Sequence, residues 1–180
     1  MAAVSFGFAS LWRYTYTPGP AANAPAGWPS PLARSGTRPT LVMVLHPACA
    51  CSTASLAELL QIVTHAATRP EILVLFSREG DTSGIVDGAL WRSATAIPGV
   101  TAILDPGAVE ARRFGAYVSG QTFLFDRAGR LIFSGGITAG RGHTGENDGV
   151  SAVLAALAVG HAPLSTTPVF GCFLHGSVPS

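Results

Sequence analysis

The stretch Leu41-Val42-Met43-Val44-Leu45 is apolar without interruption, and so is Ile72-Leu73-Val74-Leu75-Phe76. Runs of this length without polar alternation are the pattern of strands buried on both faces. Between them, within residues 52–67, Leu56, Leu59, Leu60 and Val63 stand at i, i+3, i+4 and i+7, one stripe of an amphipathic helix. A right-handed crossover then lays the two strands side by side in parallel, with the helix against the sheet.

The alternation continues. Residues 84–96, containing Trp91 and ended by Pro98, form a weaker helical pattern. Ala102-Ile103-Leu104 is a short strand closing at Asp105-Pro106, and residues 109–114 a short helix. Residues 122–126 and 131–133 flank Arg127-Ala128-Gly129, a hairpin whose glycine supplies the turn. Residues 148–159 are a final, mostly apolar helix. The expected architecture is α/β: a central mixed sheet, early strands parallel and late ones antiparallel, with helices on both faces.

At 180 residues the chain suffices for one domain with short appendages. Only 12% of residues are charged, against 48% hydrophobic, and the net charge is +1 from eleven Arg, no Lys and ten acids. Disorder by composition and broad electrostatic binding of nucleic acid are both excluded. Residues 1–16 begin with an apolar stretch too short for a bilayer span, read as the remnant of a signal or membrane anchor. Residues 17–39 hold six of the thirteen prolines and read as a spacer. The folded domain is expected over 40–175, with a tail over 176–180.

The segment His46-Pro47-Ala48-Cys49-Ala50-Cys51-Ser52 joins the first buried strand to the first helix. Ligand and active sites of α/β sheets gather at this carboxyl edge. The helix that follows points unpaired N–H groups and the positive end of its dipole at the sulfurs, which favours thiolate, the attacking species. The Cys49-x-Cys51 pair can close on itself, but the ring is small and departs from relaxed disulfide geometry, the condition of an easily reduced bond. Two thiols at such a turn support redox chemistry or metal binding.

These residues resemble the active-site unit of the thioredoxin superfamily, and Gly120 to Leu131 resembles its second half, where a strand, an Asp-x-x-Gly turn and another strand follow. More narrowly, His-Pro-x-Cys-x-Cys-Ser, Ser-Gly-Gln, Phe-Ser-Gly-Gly-Ile-Thr and Arg-Gly-His resemble the RedB-type bacterial thiol–disulfide oxidoreductases, over about residues 40–175. The resemblance implies a three-layer α/β/α fold, Cys49 as nucleophile, and protein or small-molecule thiols and disulfides as partners. It also implies a periplasmic or cell-envelope location. Two departures stand out. The usual Cys-x-x-Cys is absent, Ser52 taking its second position with Cys51 one residue early. The proline expected opposite the site is replaced by Gly120, beside Ser119.

His46 stands three residues before Cys49, placed to stabilise a thiolate, accept a proton or bind a metal, and Pro47 shapes the loop. Gly140-Arg141-Gly142-His143-Thr144-Gly145 matches G-x-G-x-x-G, but no acidic residue follows Asp148, so dinucleotide binding is rejected. Arg141 and His143 are read as part of a solvated loop within reach of the thiol edge. Cys172, beyond the last helix, is a third thiol, a metal ligand or a packed tail cysteine.

The leading function is thus thiol–disulfide exchange by Cys49 and Cys51 without a cofactor, with His46, Pro47, Ser52, Ser119 and Gly120 in support. The alternative is a copper module holding Cu(I) on Cys49, Cys51 and His46, with His143 or Cys172 as further donors. A silent thioredoxin-like adaptor is the third class, with ordinary thiol pKa values.

Overall fold

The computed structural model describes residues 2–176; residue 1 and residues 177–180, which belong to the expected tail, lie outside the described residues. In chain order the elements are α1 (Ala2–Tyr16), β1 (Thr40–Leu45), α2 (Cys51–His65), β2 (Glu71–Arg78), α3 (Ala89–Thr95), β3 (Val100–Pro106), α4 (Val109–Arg113), β4 (Gln121–Phe125), β5 (Leu131–Gly135) and α5 (Asp148–Val159). The strands form one sheet in the order β3-β2-β1-β4-β5. β1 and β2 are parallel, with Leu41 opposite Ile72 and Leu45 opposite Phe76, and β2 and β3 are parallel too. β4 runs antiparallel to β1, and β5 antiparallel to β4. This is the thioredoxin-like arrangement, with the carboxyl end of the central strand β1 feeding the Cys-bearing loop.

The period of two along the strands divides the core. Leu41, Met43, Leu45, Ile72, Val74 and Phe76 face a layer built from α2, α3 and α5. Val42, Val44, Leu73, Leu75, Phe123 and Phe125 face the other way, toward Phe114 and Ala111. That second face has only the five-residue α4 as regular cover. The rest is supplied by the proline-rich residues 17–39, which form no helix or strand and lie along the sheet. Trp28 meets Phe114 and Phe125 edge-on at 5.2 Å, and its backbone N–H donates to the Gly129 carbonyl at 2.9 Å. Proline fixes an extended backbone there, so little ordering entropy is lost in holding it.

Element boundaries shift where local polar contacts intervene. α3 begins at Ala89, not near residue 84, because Asp81 accepts the Ser83 N–H and hydroxyl at 2.8 and 2.7 Å and holds a turn. α2 ends at His65, where Ala66 turns extended with ψ 125°. α5 spans the expected 148–159, its N-terminus capped by the Asn147 side chain accepting the Val150 N–H at 2.9 Å. In the β4–β5 turn, Asp126 accepts the N–H groups of Ala128 and Arg130, both at 2.9 Å. Buried Asp105 closes β3 by accepting the N–H groups of Glu110 and Ala111 at the start of α4.

After α5 the uncharged tail returns across the sheet edge. Ser134 donates its N–H to Ser165 at 2.9 Å, and Leu174 donates to Tyr117 at 3.0 Å. Phe114 is fully buried at the centre of the thinner layer. Phe114→Ala is expected to lower stability by about 3–5 kcal/mol in urea unfolding, whereas Val159→Ala on the exposed end of α5 is expected to change it by less than about 0.5 kcal/mol.

Candidate active site

The loop leaving β1 is held by a closed cycle of hydrogen bonds. Ser52 donates its hydroxyl to the His46 carbonyl at 3.0 Å, and the His46 N–H donates to Ser119 Oγ at 2.9 Å. The two serine hydroxyls are 2.9 Å apart, and since Ser52 has spent its proton on His46, Ser119 is the donor between them. Both serines are buried. The cycle ties residues 46–52 to the segment before β4. Gly120, next in that segment, has φ +91° and donates its N–H to the Val44 carbonyl at 2.8 Å. A Cβ at Gly120 would lie 3.0 Å from Ser55 Oγ, so the position that lacks the expected proline needs glycine on two counts.

Within the loop the Cys49 N–H donates to His46 at 3.1 Å and the Ser52 N–H to Cys49 at 3.0 Å, turning the chain into α2 at Cys51. No side chain caps this helix, so its first N–H groups remain for other acceptors. Cys51, at the start of α2, and Cys172, on the tail, both act to lower the Cys49 pKa. The tail segment is positioned by Ser119, whose N–H donates to the Cys172 carbonyl at 2.8 Å, and by an antiparallel bridge between Val118 and Phe173. Gly171 lies against the Ser119 carbonyl with no room for a Cβ.

The structure therefore brings the tail segment that carries Cys172 beside the loop that carries Cys49 and Cys51, and no disulfide joins the three. Their acidities diverge. Burial pushes the Cys49 thiol up, but the hydrogen bonds from Cys172 and Cys51 outweigh it, and its pKa lies below the ordinary thiol value. A hydrogen bond to a charged group contributes about 1.5–3 kcal/mol, and one pKa unit is about 1.4 kcal/mol, so a few such donors suffice to offset burial. Cys51 is pushed up by burial and by the charge on Cys49, against the opposing pull of Arg141 and the Gly142 N–H. Cys172 is pushed up to about 12 by burial, by its hydrogen bond to Cys49 and by the other two sulfurs, with Arg141 again opposing. One thiolate is favoured among three sulfurs, and it is Cys49. This sulfur is also the least exposed of the three, at 4% for the residue, and it lines a cleft of about 620 Å³ shared with Pro47, Arg78, Ile85 and Trp91.

The expected solvated loop proves to be part of the site at one residue and not at the other. Arg141 is anchored by the Tyr14 carbonyl at 3.0 Å, the Tyr14 ring at 4.9 Å and the Gly171 carbonyl, and its charge acts on Cys51 and Cys172. His143 instead turns away to the Tyr16 ring, 5.7 Å between centroids. Behind the loop, buried Glu58 accepts the Gly145 N–H at 2.6 Å and tethers it to α2. No spacing rule signals Arg141 or Glu58, because both act through a loop whose path is set by tertiary contacts.

His46 contributes its backbone. Its Nδ1 accepts the Ala48 N–H at 3.2 Å, and burial followed by the Arg78 charge lowers its pKa, so the ring is neutral at pH 7. Among the described residues no group of three His, Cys, Asp or Glu side chains is placed to hold a metal ion.

No protein-family model matches the chain, and no curated protein matches it in sequence. Solved structures do match. An uncharacterized conserved protein from Geobacillus kaustophilus, 16% identical, superposes with a TM-score of 0.67 over 91% of this chain and 99% of that one. A hypothetical protein from Sinorhizobium meliloti, 17% identical, superposes with a TM-score of 0.60 over 89% and 96%. Both show the fold across nearly the whole chain. A secreted disulfide oxidoreductase of Mycobacterium tuberculosis overlays more loosely, with a TM-score of 0.47 and 14% identity over 68% and 83%, and carries no functional weight.

Alkylation of the reduced protein by iodoacetamide across pH, read by peptide mass, is expected to label Cys49 with a midpoint below the ordinary thiol value and Cys172 only at strongly alkaline pH. Arg141→Gln removes the cation that favours thiolate at Cys51 and Cys172, and is expected to move both midpoints upward. Ser119→Ala leaves the His46 N–H without its acceptor and removes the hydrogen bond to the Ser52 hydroxyl; the expected cost is about 1–3 kcal/mol in chemical unfolding.

Proposed function

We propose that this chain is a thiol–disulfide oxidoreductase in which Cys49 is the attacking thiolate. The observation that carries the reading is the position of Cys49, which lines a cleft where β1 hands over to the uncapped start of α2 and whose pKa is lowered while those of Cys51 and Cys172 are raised. Such an arrangement suits exchange, which needs one nucleophile and at least one thiol held in reserve.

The Cys49 thiolate attacks one sulfur of a substrate disulfide, forming a mixed disulfide and expelling the other substrate sulfur as thiolate, which takes up a proton. A second cysteine of the cluster loses its proton, attacks the Cys49 sulfur and releases the remaining substrate thiol. Two protein thiols are oxidised to one disulfide, and one substrate disulfide is reduced to two thiols. Cys51, two residues away in the Cys49-x-Cys51 motif, and Cys172 of the tail are the two thiols that can supply that second sulfur. The cleft bordered by Arg78, Ile85 and Trp91 offers a path to the otherwise covered Cys49. His46, neutral and hydrogen-bonded through its backbone, serves to hold the loop rather than to pair with the thiolate.

The resemblance to the RedB-type oxidoreductases supports the same reading. An envelope location with thiol- or disulfide-bearing partners goes with it, resting on that resemblance and on the apolar N-terminal residues. α1 exposes Leu11, Trp12 and Tyr14, and no helix among the described residues is long and apolar enough to cross a membrane.

The test is dithiol-driven reduction of insulin followed by turbidity. Wild type is expected to exceed the Cys49→Ser, Cys51→Ser double variant by at least about a hundredfold, the variant falling to the uncatalysed rate. Equal rates would overturn the proposal.

A further inference from the structure

We infer that Cys172 is the thiol that resolves the mixed disulfide on Cys49, so that the first in-chain product of exchange is a Cys49–Cys172 bond joining the tail to the β1–α2 loop. The inference rests on the exchange reading above and assigns its second step.

Three observations converge on Cys172. It lies outside the loop that carries Cys49 and Cys51, and its interaction with Cys49 is among the causes that lower the Cys49 pKa. Its segment is fixed by the loop that holds the site together: Ser119 donates to the Cys172 carbonyl at 2.8 Å, Val118 bridges Phe173, and Leu174 donates to Tyr117 at 3.0 Å. Gly171 permits the close approach, since any side chain there would strike the Ser119 carbonyl. The same Ser119 side chain accepts the His46 N–H and bonds to Ser52. One residue thus holds both the loop that carries Cys49 and the segment that carries Cys172.

The competing bond, Cys49 to Cys51, must close a ring of three residues at the first turn of α2, where relaxed disulfide geometry is hard to reach. Cys172 comes from a separate segment and carries no such restriction. Its thiol is also timed. While Cys49 is a thiolate, burial, the hydrogen bond to Cys49 and its charge together hold the Cys172 pKa up. Once Cys49 is consumed in a mixed disulfide, the two contributions from Cys49 vanish, and Arg141 continues to oppose the burial that remains. Ionisation of Cys172 thereby becomes easier at the step that needs it. In that step Cys172 gives its proton to solvent, its sulfur bonds to Cys49, and the substrate leaves as thiolate to be protonated.

The experiment mixes the reduced full chain with limiting oxidised glutathione, quenches by acid and alkylation at successive times, and maps the disulfides by mass. Wild type is expected to show glutathionylated Cys49 followed by Cys49–Cys172 as the first in-chain bond. Cys51→Ser is expected to form the same first in-chain bond, and failure of Cys51→Ser to form it overturns the assignment. Cys172→Ser, close in size and with the backbone contacts retained, is expected to prolong the glutathione adduct by about tenfold or more. Cys49–Cys51 as the first product in wild type, or an unchanged adduct lifetime in Cys172→Ser, overturns the assignment while leaving exchange at Cys49 standing. Absence of any adduct on Cys49 overturns the exchange reading itself, and this inference with it.

Discussion

Two buried serine hydroxyls hold the site in being. Ser52, on the first turn of α2, and Ser119, just before β4, share a hydrogen bond, and each also bonds to the backbone of His46. The cycle leaves neither buried serine hydroxyl without a partner, the condition under which a buried polar network adds rigidity instead of cost. Through it the loop at the end of β1 is locked to the strand that runs antiparallel to β1. The tail is locked to both, because Ser119 also donates its N–H to Cys172. Three segments distant in sequence meet at one side chain and its backbone.

What the clamp permits is an unequal division of charge. The three thiols, partly withdrawn from water, do not ionise independently, since the charge on Cys49 pushes the other two up. The first ionisation is favoured at the sulfur with the most donors, and Cys49 has them: the Cys51 N–H, the Cys172 N–H and two thiols. Arg141 leans toward the other two sulfurs and opposes, without cancelling, the burial and charge that keep them protonated. His46 does not act as a cationic partner, because burial and Arg78 keep its ring neutral.

Much of the scaffold was legible before any coordinates. The runs at 41–45 and 72–76 became β1 and β2 because continuous apolar side chains have no other place than a sheet covered on both faces. The final helix matched at both ends because the apolar pattern begins beside Asn147, which caps it. Legibility failed where short-range polar contacts competed with pattern, as at Asp81 and Ser83 ahead of α3. It failed also where cover was needed without periodicity. The thin layer under Phe114 is completed by Trp28 and its proline-rich neighbours, whose sequence announces extension but not the surface that receives it.

The site divides along the same line. That Cys49 and Cys51 stand where a strand hands over to a helix was determined by sequence alone, since strand and helix are written in local periodicities that need no distant partner. Which sulfur ionises, that Cys172 joins them, and that Arg141 but not His143 faces the cluster were decided only by tertiary structure. Each depends on donors and charges brought through space by the tail and the glycine-rich loop. Hydrogen bonding and Coulomb attraction act over a few ångströms whatever the separation along the chain, so no motif encodes them.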